Sequence, residues 1–110
     1  MTAPVQEQVL INARALIADP AHWTRSVLAR TATGSSVAWY DPSATKWCAM
    51  GAIYRAAYDL FGDPREATRI GNRVAKSISP IWFCRSLMTM NDLRGHTAVL
   101  ALFDKALVAA

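Results

Sequence analysis

Cys48, His96, Asn91 and Asp92 are the residues whose types make a nucleophilic site. A cysteine in the first turn of a helix meets free backbone N–H groups and the positive helix end. Both lower a thiol's pKa, and Lys46 is near in sequence. His96 would then be the base, with Asn91 or Asp92 orienting it. The competing expectation is a small buried Cys48 packed beside Trp47, and cysteine is among the most buried residue types. In that case a hydroxyl at Cys48 has no assured partner, so serine there is expected to cost more than alanine. Asn91-Asp92 likewise has two readings. It forms a polar ligand site next to the Cys48 end of the helix, or it ties the chain to backbone donors as Asx turns do, the reading preferred here.

Other constellations are weaker or point elsewhere. Cys48, Cys84, His22 and His96 have zinc-ligand identities, but none falls in a C-x-x-C or H-x-x-x-H pair, so no metal site and no cofactor is expected. Arg65, Arg69, Arg73 and Lys76 recur at helical spacing and form a cationic stripe. Such a stripe could meet phosphates or nucleic acid; a solvated face is the ordinary alternative. The Gly62-Asp63 link between two helices permits a helix-turn-helix, but the preceding helix is too long and few base-reading side chains accompany the arginines. Trp39-Tyr40 is either an exposed contact patch or, as aromatics more often are, buried.

The element that must position these residues is the stretch from Ser43 to Phe61, the longest apolar run. Trp47, Met50, Gly51, Tyr54, Ala57, Tyr58 and Phe61 recur at helical spacing. Cys48, Ala52, Arg55 and Asp59 fill the remaining stripe. The pattern predicts a central helix over about 45–61, capped by Ser43 or Thr45 and ended by Gly62-Asp63-Pro64. Gly51, costly inside a helix, with Ala52 points to a second backbone crossing closely there.

Around it the periods predict a helix over Pro4–Ala18 with Val5, Val9, Ala13, Leu16 and Ile17 inward, and a helical turn over Ala21–Ser26. A second amphipathic helix covers Pro64–Ser77, burying Ala67, Ile70, Val74 and Ile78. A third starts at Ser79-Pro80 with Ile81, Cys84, Leu87 and Met88 inward. Asn91–Gly95 is expected as a loop, and Thr97 as the cap of a last helix carrying Val99, Leu100, Phe103, Ala106 and Leu107. Residues 27–40, with β-branched and aromatic residues about Ala32-Thr33-Gly34-Ser35, read as a short β-hairpin, with an irregular loop as the alternative.

The expected fold is therefore mainly α, a single compact domain over 1–110 with about five helices around the central one. A chain of 110 residues, 53% apolar, can bury a real core. No signal peptide and no membrane span are expected. Two cysteines are too few for a disulfide scaffold, so a reducing cytoplasm is expected. The formal charge of +4 leans toward anionic partners.

Three pieces in order, Asp41-Pro42 with Trp47-Cys48-Ala49-Met50-Gly51-Ala52, then Asn91-Asp92, then Thr97-Ala98-Val99-Leu100 with Phe103-Asp104 and Ala106, resemble a small family of bacterial and phage proteins of unknown function. Its pattern runs roughly W-C-x-x-G-A, later W-N-D, then T-x-x-V-L and an aliphatic helix. Met90 stands here where that pattern has tryptophan, and Trp23 fits a tryptophan near the family's first turn. The resemblance implies no activity; it directs attention to Cys48, Asn91, Asp92 and Thr97. The function expected is a cytoplasmic, non-enzymatic binding or interaction protein, of bacterial or phage origin by that resemblance, whose partner is a protein or nucleic acid. The alternative is a small cysteine-dependent enzyme using Cys48.

Overall fold

Helical spacing in the sequence becomes helix nearly everywhere it occurs. The structure, a computed structural model, describes residues 3–78 and 83–109, with side chains for 4–78 and 87–108. The described residues form α1 (Ala3–Ile17), β1 (Ala29–Arg30), β2 (Lys46–Trp47), α2 (Ala49–Phe61), α3 (Pro64–Ile78), α4 (Phe83–Arg94) and α5 (His96–Ala109). The protein is thus mainly α, five helices with a small antiparallel ribbon. Its radius of gyration is 12.4 Å, that of one compact domain of this length. The cap at Ser79-Pro80, Ile81, Trp82 and the side chain of Cys84 lie outside the described residues. Among the described residues no helix is long and apolar enough to cross a membrane.

α2 is central and packs between α1 and α3. Ala49, Met50, Gly51, Ala52, Ile53, Tyr54, Ala56 and Ala57 are all buried. α1 brings Val9, Leu10, Ala13 and Ile17 to it; α3 brings Ala67, Ile70, Val74 and Ala75. Each large aliphatic side chain removed from water in this way contributes about 1.5–3 kcal/mol. Gly62 closes α2 in the left-handed conformation, φ 74°, donating its N–H to the Tyr58 carbonyl at 2.7 Å.

The start of α2 differs from the expected one. Trp47 has helical spacing, yet its backbone is extended and the helix begins at Ala49. Two neighbours hold it there. Trp47 lies opposite Ala29 in the ribbon, and its carbonyl accepts from the Thr24 N–H at 3.1 Å on the other side. The cap is therefore Cys48, not Ser43 or Thr45. The close approach expected at Gly51 is made by Leu28. A Cβ on Gly51 would stand 2.0 Å from the Leu28 carbonyl oxygen, so only glycine fits.

The pairing expected within 27–40 is present as one antiparallel bridge, Arg30 opposite Ser36, while the two-residue ribbon pairs β1 with β2, Arg30 opposite Lys46. The 35–37 segment meets β1 from the other side through Val37 N–H to Ala29 O (3.1 Å) and Thr31 N–H to Ser35 O (2.9 Å), around the turn at Gly34. The turn over 21–26 contracts to one 3-10 turn, Pro20–His22, whose cap is Asp19.

Asn91–Gly95 is not a loop. Asn91 to Arg94 form the last turn of α4, and Gly95 (φ 91°) alone separates α4 from α5. The helix boundary sits at Gly95, so Thr97 lies inside α5 and is exposed rather than capping. Val99 and Phe103 are buried, as their spacing requires.

Candidate functional site

Asn91 places its amide under the first turn of α2 and is 0% exposed. Its Oδ1 accepts from the Trp23 indole N–H at 2.7 Å and from the Ala49 backbone N–H at 2.9 Å. Its Nδ2 donates to the Thr24 carbonyl and to Asp92 Oδ1, each at 3.1 Å. Every hydrogen-bonding position of a buried asparagine is thereby used. Asp92 Oδ1 also accepts from the Ser26 N–H at 3.0 Å. That bond holds Ser26 at φ 71°, a conformation that non-glycine residues adopt at a cost. Asn91 and Asp92 therefore fasten the 23–26 segment to α2 and α4.

Cys48 closes the same helix end. Its Sγ accepts from the Gly51 N–H at 3.3 Å, its carbonyl from the Ala52 N–H at 2.8 Å, and its own N–H donates to Leu28 O at 3.2 Å. The Ala49 and Gly51 N–H groups, which a helix start ordinarily leaves open, have side-chain partners, and the Ala52 N–H makes the first intrahelical bond. The thiol is 2% exposed. Burial pushes its pKa up; the Gly51 and Met50 N–H groups pull it down, and the Asp92 charge raises it further. The net shift is upward, opposite to what a nucleophile at a helix N-terminus needs.

His96 is near this cluster but engaged elsewhere. Its Nε2 lies 2.6 Å from the Ile17 carbonyl, and its ring packs 5.6 Å from Trp23. Arg25 covers the Trp23 ring at 5.0 Å. No hydrogen bond among the described residues joins Cys48 to His96. His22 is also on a carbonyl, Nδ1 to Thr45 O at 2.9 Å. Among the described residues, no three His, Cys, Asp or Glu side chains are grouped to hold a metal ion. The fold thus gathers Cys48, Asn91 and Asp92 at one helix end and leaves the histidines bound to main chain.

The cationic stripe lies on the far side of α3. Arg65, Arg69, Arg73 and Lys76 are all exposed. Asp63 caps α3, its carboxylate accepting the Arg65 N–H at 3.0 Å. Arg69 is ion-paired with Glu66, and that contact lowers the Glu66 pKa and raises that of Arg69. Among the described residues neither Arg65 nor Arg73 forms an ion pair with a carboxylate, although the Arg73 charge also acts on Glu66. Asn72 shares this face, and its Oδ1 accepts from the Tyr54 hydroxyl at 2.5 Å. Tyr54 opens onto a ring cluster: Trp39 lies 5.4 Å from Tyr54 and 5.9 Å from Tyr58, and Tyr40 lies 4.9 Å from Trp39 and 6.1 Å from Tyr58. Trp39 is buried, whereas Tyr40 is 43% exposed.

A model of a family of unknown function, DUF6197, matches residues 1–108. The chain belongs to that family. No curated protein and no solved structure matches it.

In this DUF6197 chain the W-C-x-x-G-A stretch runs through β2, the cap and the first turn of α2, and Asn91-Asp92 is its buried anchor. Sequence reasoning missed three members of the cluster: Trp23, Thr24 and Arg30. Arg30 is engaged throughout, Nε with Thr24 Oγ1 (2.9 Å), Nη1 with Gly34 O (2.9 Å) and Nη2 with Arg25 O (3.4 Å). The available signal was Trp23 itself. A half-buried indole N–H needs an acceptor, and Asn91 is one of few neutral side chains able to supply it.

Proposed function

We propose that the protein is a cytoplasmic, non-enzymatic binding protein of bacterial or phage origin that meets phosphate groups through the outer face of α3. The observation that carries this is the exposure of Arg65, Arg69, Arg73 and Lys76 on one rigid helix. From Ala67 to Ile78 the chain holds no carboxylate. A helix supported from behind by Ala67, Ile70, Val74 and Ala75 presents its cations without having to be ordered first.

The alternative, a cysteine-dependent enzyme, has Cys48 at a helix start with Asn91 and Asp92 beside it. Against it stand the buried thiol, its raised pKa and the filled hydrogen-bonding positions of Asn91. The test is binding of labelled DNA and RNA, single-stranded and duplex, over a range of salt. Charge reversal at Arg69 and Arg73 is expected to abolish binding and flatten its salt dependence. Absence of any salt-sensitive binding by the unmodified protein would leave the stripe a solvated face.

A further inference from the structure

Resting on that reading, we infer that the nucleic acid is single-stranded: the α3 cations track its phosphates while Tyr40 and Tyr58 stack its bases. The starting point is the hydrogen bond between Tyr54 and Asn72, which joins the cationic face to the ring cluster. At 100° per residue Asn72 lies within about 60° of Arg65, Arg69 and Lys76, so this bond sits at the edge of the stripe. Beyond it come Tyr58, half-buried, and Tyr40, exposed. Phe61, at 45% exposure, follows Tyr58 by one turn of α2. Cations next to accessible ring faces are the pairing that single strands need, since every base has a face to stack and duplex bases are already stacked.

The carboxylates nearest the rings in sequence are engaged: Asp59 is paired with Arg55 at 3.1 Å, Asp41 accepts from Ser43, and Asp63 caps α3. Within the stripe Arg69 is paired with Glu66. Duplex reading in a major groove needs side chains that bond base edges. Besides its cations, which can bond guanine edges, the stripe offers Asn72, whose Oδ1 is already taken by Tyr54. Successive cations about 6 Å apart along the helix axis are on the scale of neighbouring phosphates in an extended strand. The expected recognition is therefore strand-selective and tolerant of sequence.

The experiment is fluorescence anisotropy with a labelled unstructured oligothymidine and a duplex of equal length, using the full chain. The unmodified protein is expected to bind the single strand at least about tenfold more tightly. Tyr40→Ala is expected to weaken that binding about tenfold while leaving the salt slope unchanged. Tyr40→Phe restores it, because the ring and not the hydroxyl does the stacking. Tyr40 is 43% exposed and packs on Trp39, so circular dichroism and urea unfolding of Tyr40→Ala are read beside its binding to show that it is folded. Tyr58→Ala is read only at temperatures where circular dichroism shows it folded, and is expected to act in the same direction. Equal affinity for both oligonucleotides, or an unaltered affinity in Tyr40→Ala, overturns the inference and leaves phosphate binding by α3 standing. Binding to neither overturns both.

Discussion

The N-terminal end of α2 and the outer face of α3 hold the two sets of chemically capable residues, and they differ in what remains unused. At the α2 end Cys48, Asn91 and Asp92 converge, but their donors and acceptors are taken by Gly51, Ala49, Trp23, Thr24 and Ser26. On α3 the guanidinium groups of Arg65 and Arg73 are exposed, and among the described residues neither forms an ion pair. The first region has the residue types of an active site and the hydrogen-bond accounting of a structural joint. The second has the residue types of a solvated helix and the unused valences of a binding face.

The largest expected effect breaks the joint. Asn91→Ala leaves the Trp23 indole, the Ala49 N–H and the Thr24 carbonyl without partners. Each such group costs roughly 1–3 kcal/mol when buried, so a loss on the order of 3 kcal/mol or more is expected in urea unfolding. Binding by α3, measured below the midpoint, should be unchanged. A loss under about 1 kcal/mol would mean that water replaces the amide, and the site would then be open enough to hold a ligand.

Much of the frame was legible in the sequence, and the joint was not. α1, α3 and α5 follow their apolar periods because each buries one face and needs nothing distant to be helical. Gly62 and the crowding at Gly51 were readable because only glycine tolerates those positions. Trp47 misled because its spacing fits a helix, while two segments remote in sequence, about Ala29 and Trp23, claim its backbone. Asn91-Asp92 before a glycine looks like a turn. Only Trp23, Thr24 and Ser26, more than sixty residues earlier, show why the pair sits inside a helix. The exposed cations were legible as a stripe and Trp39-Tyr40 as a contact patch or buried pair, but that the pair meets Tyr54 and Tyr58 depends on the path of 39–41 across α2.

A smaller effect sharpens the comparison at Cys48. Burial raises the thiol pKa, so iodoacetamide should modify native Cys48 slowly at neutral pH, as read site by site in a mass spectrum. The folded pKa lies above the unfolded one. Its contribution to stability is therefore present below the unfolded thiol value, about 8.5, and is lost as pH rises through the folded one. Because Sγ caps the Gly51 N–H, Cys48→Ser keeps an acceptor and should be the milder change. Cys48→Ala should cost about 1 kcal/mol. That reverses the order expected for a hydroxyl without a partner. Rapid labelling with a midpoint below that of a free thiol would instead favour a nucleophile.

The smallest expected effect concerns Glu66, the acid that competes for the α3 face. Its hydrogen bonds and charge contact with Arg69 hold its carboxyl below the ordinary glutamate range. Its folded pKa is depressed, so its contribution to stability is present above the unfolded value and lost only as pH falls through the folded one. Because the pair is exposed, that contribution is small. Its effect on binding should be the more visible one. While Glu66 is ionised it occupies Arg69, and a phosphate must displace it. Glu66→Gln should tighten oligonucleotide binding a few-fold and steepen the plot of log affinity against log salt by up to about 0.7, the value of one added contact to a single strand. The unmodified protein should gain the same increment on acidification, but only below the usual carboxylate range, and Glu66→Gln should abolish that pH dependence. Unchanged affinity and slope in Glu66→Gln would place Arg69 outside the phosphate path. The binding face would then reduce to Arg65, Arg73 and Lys76.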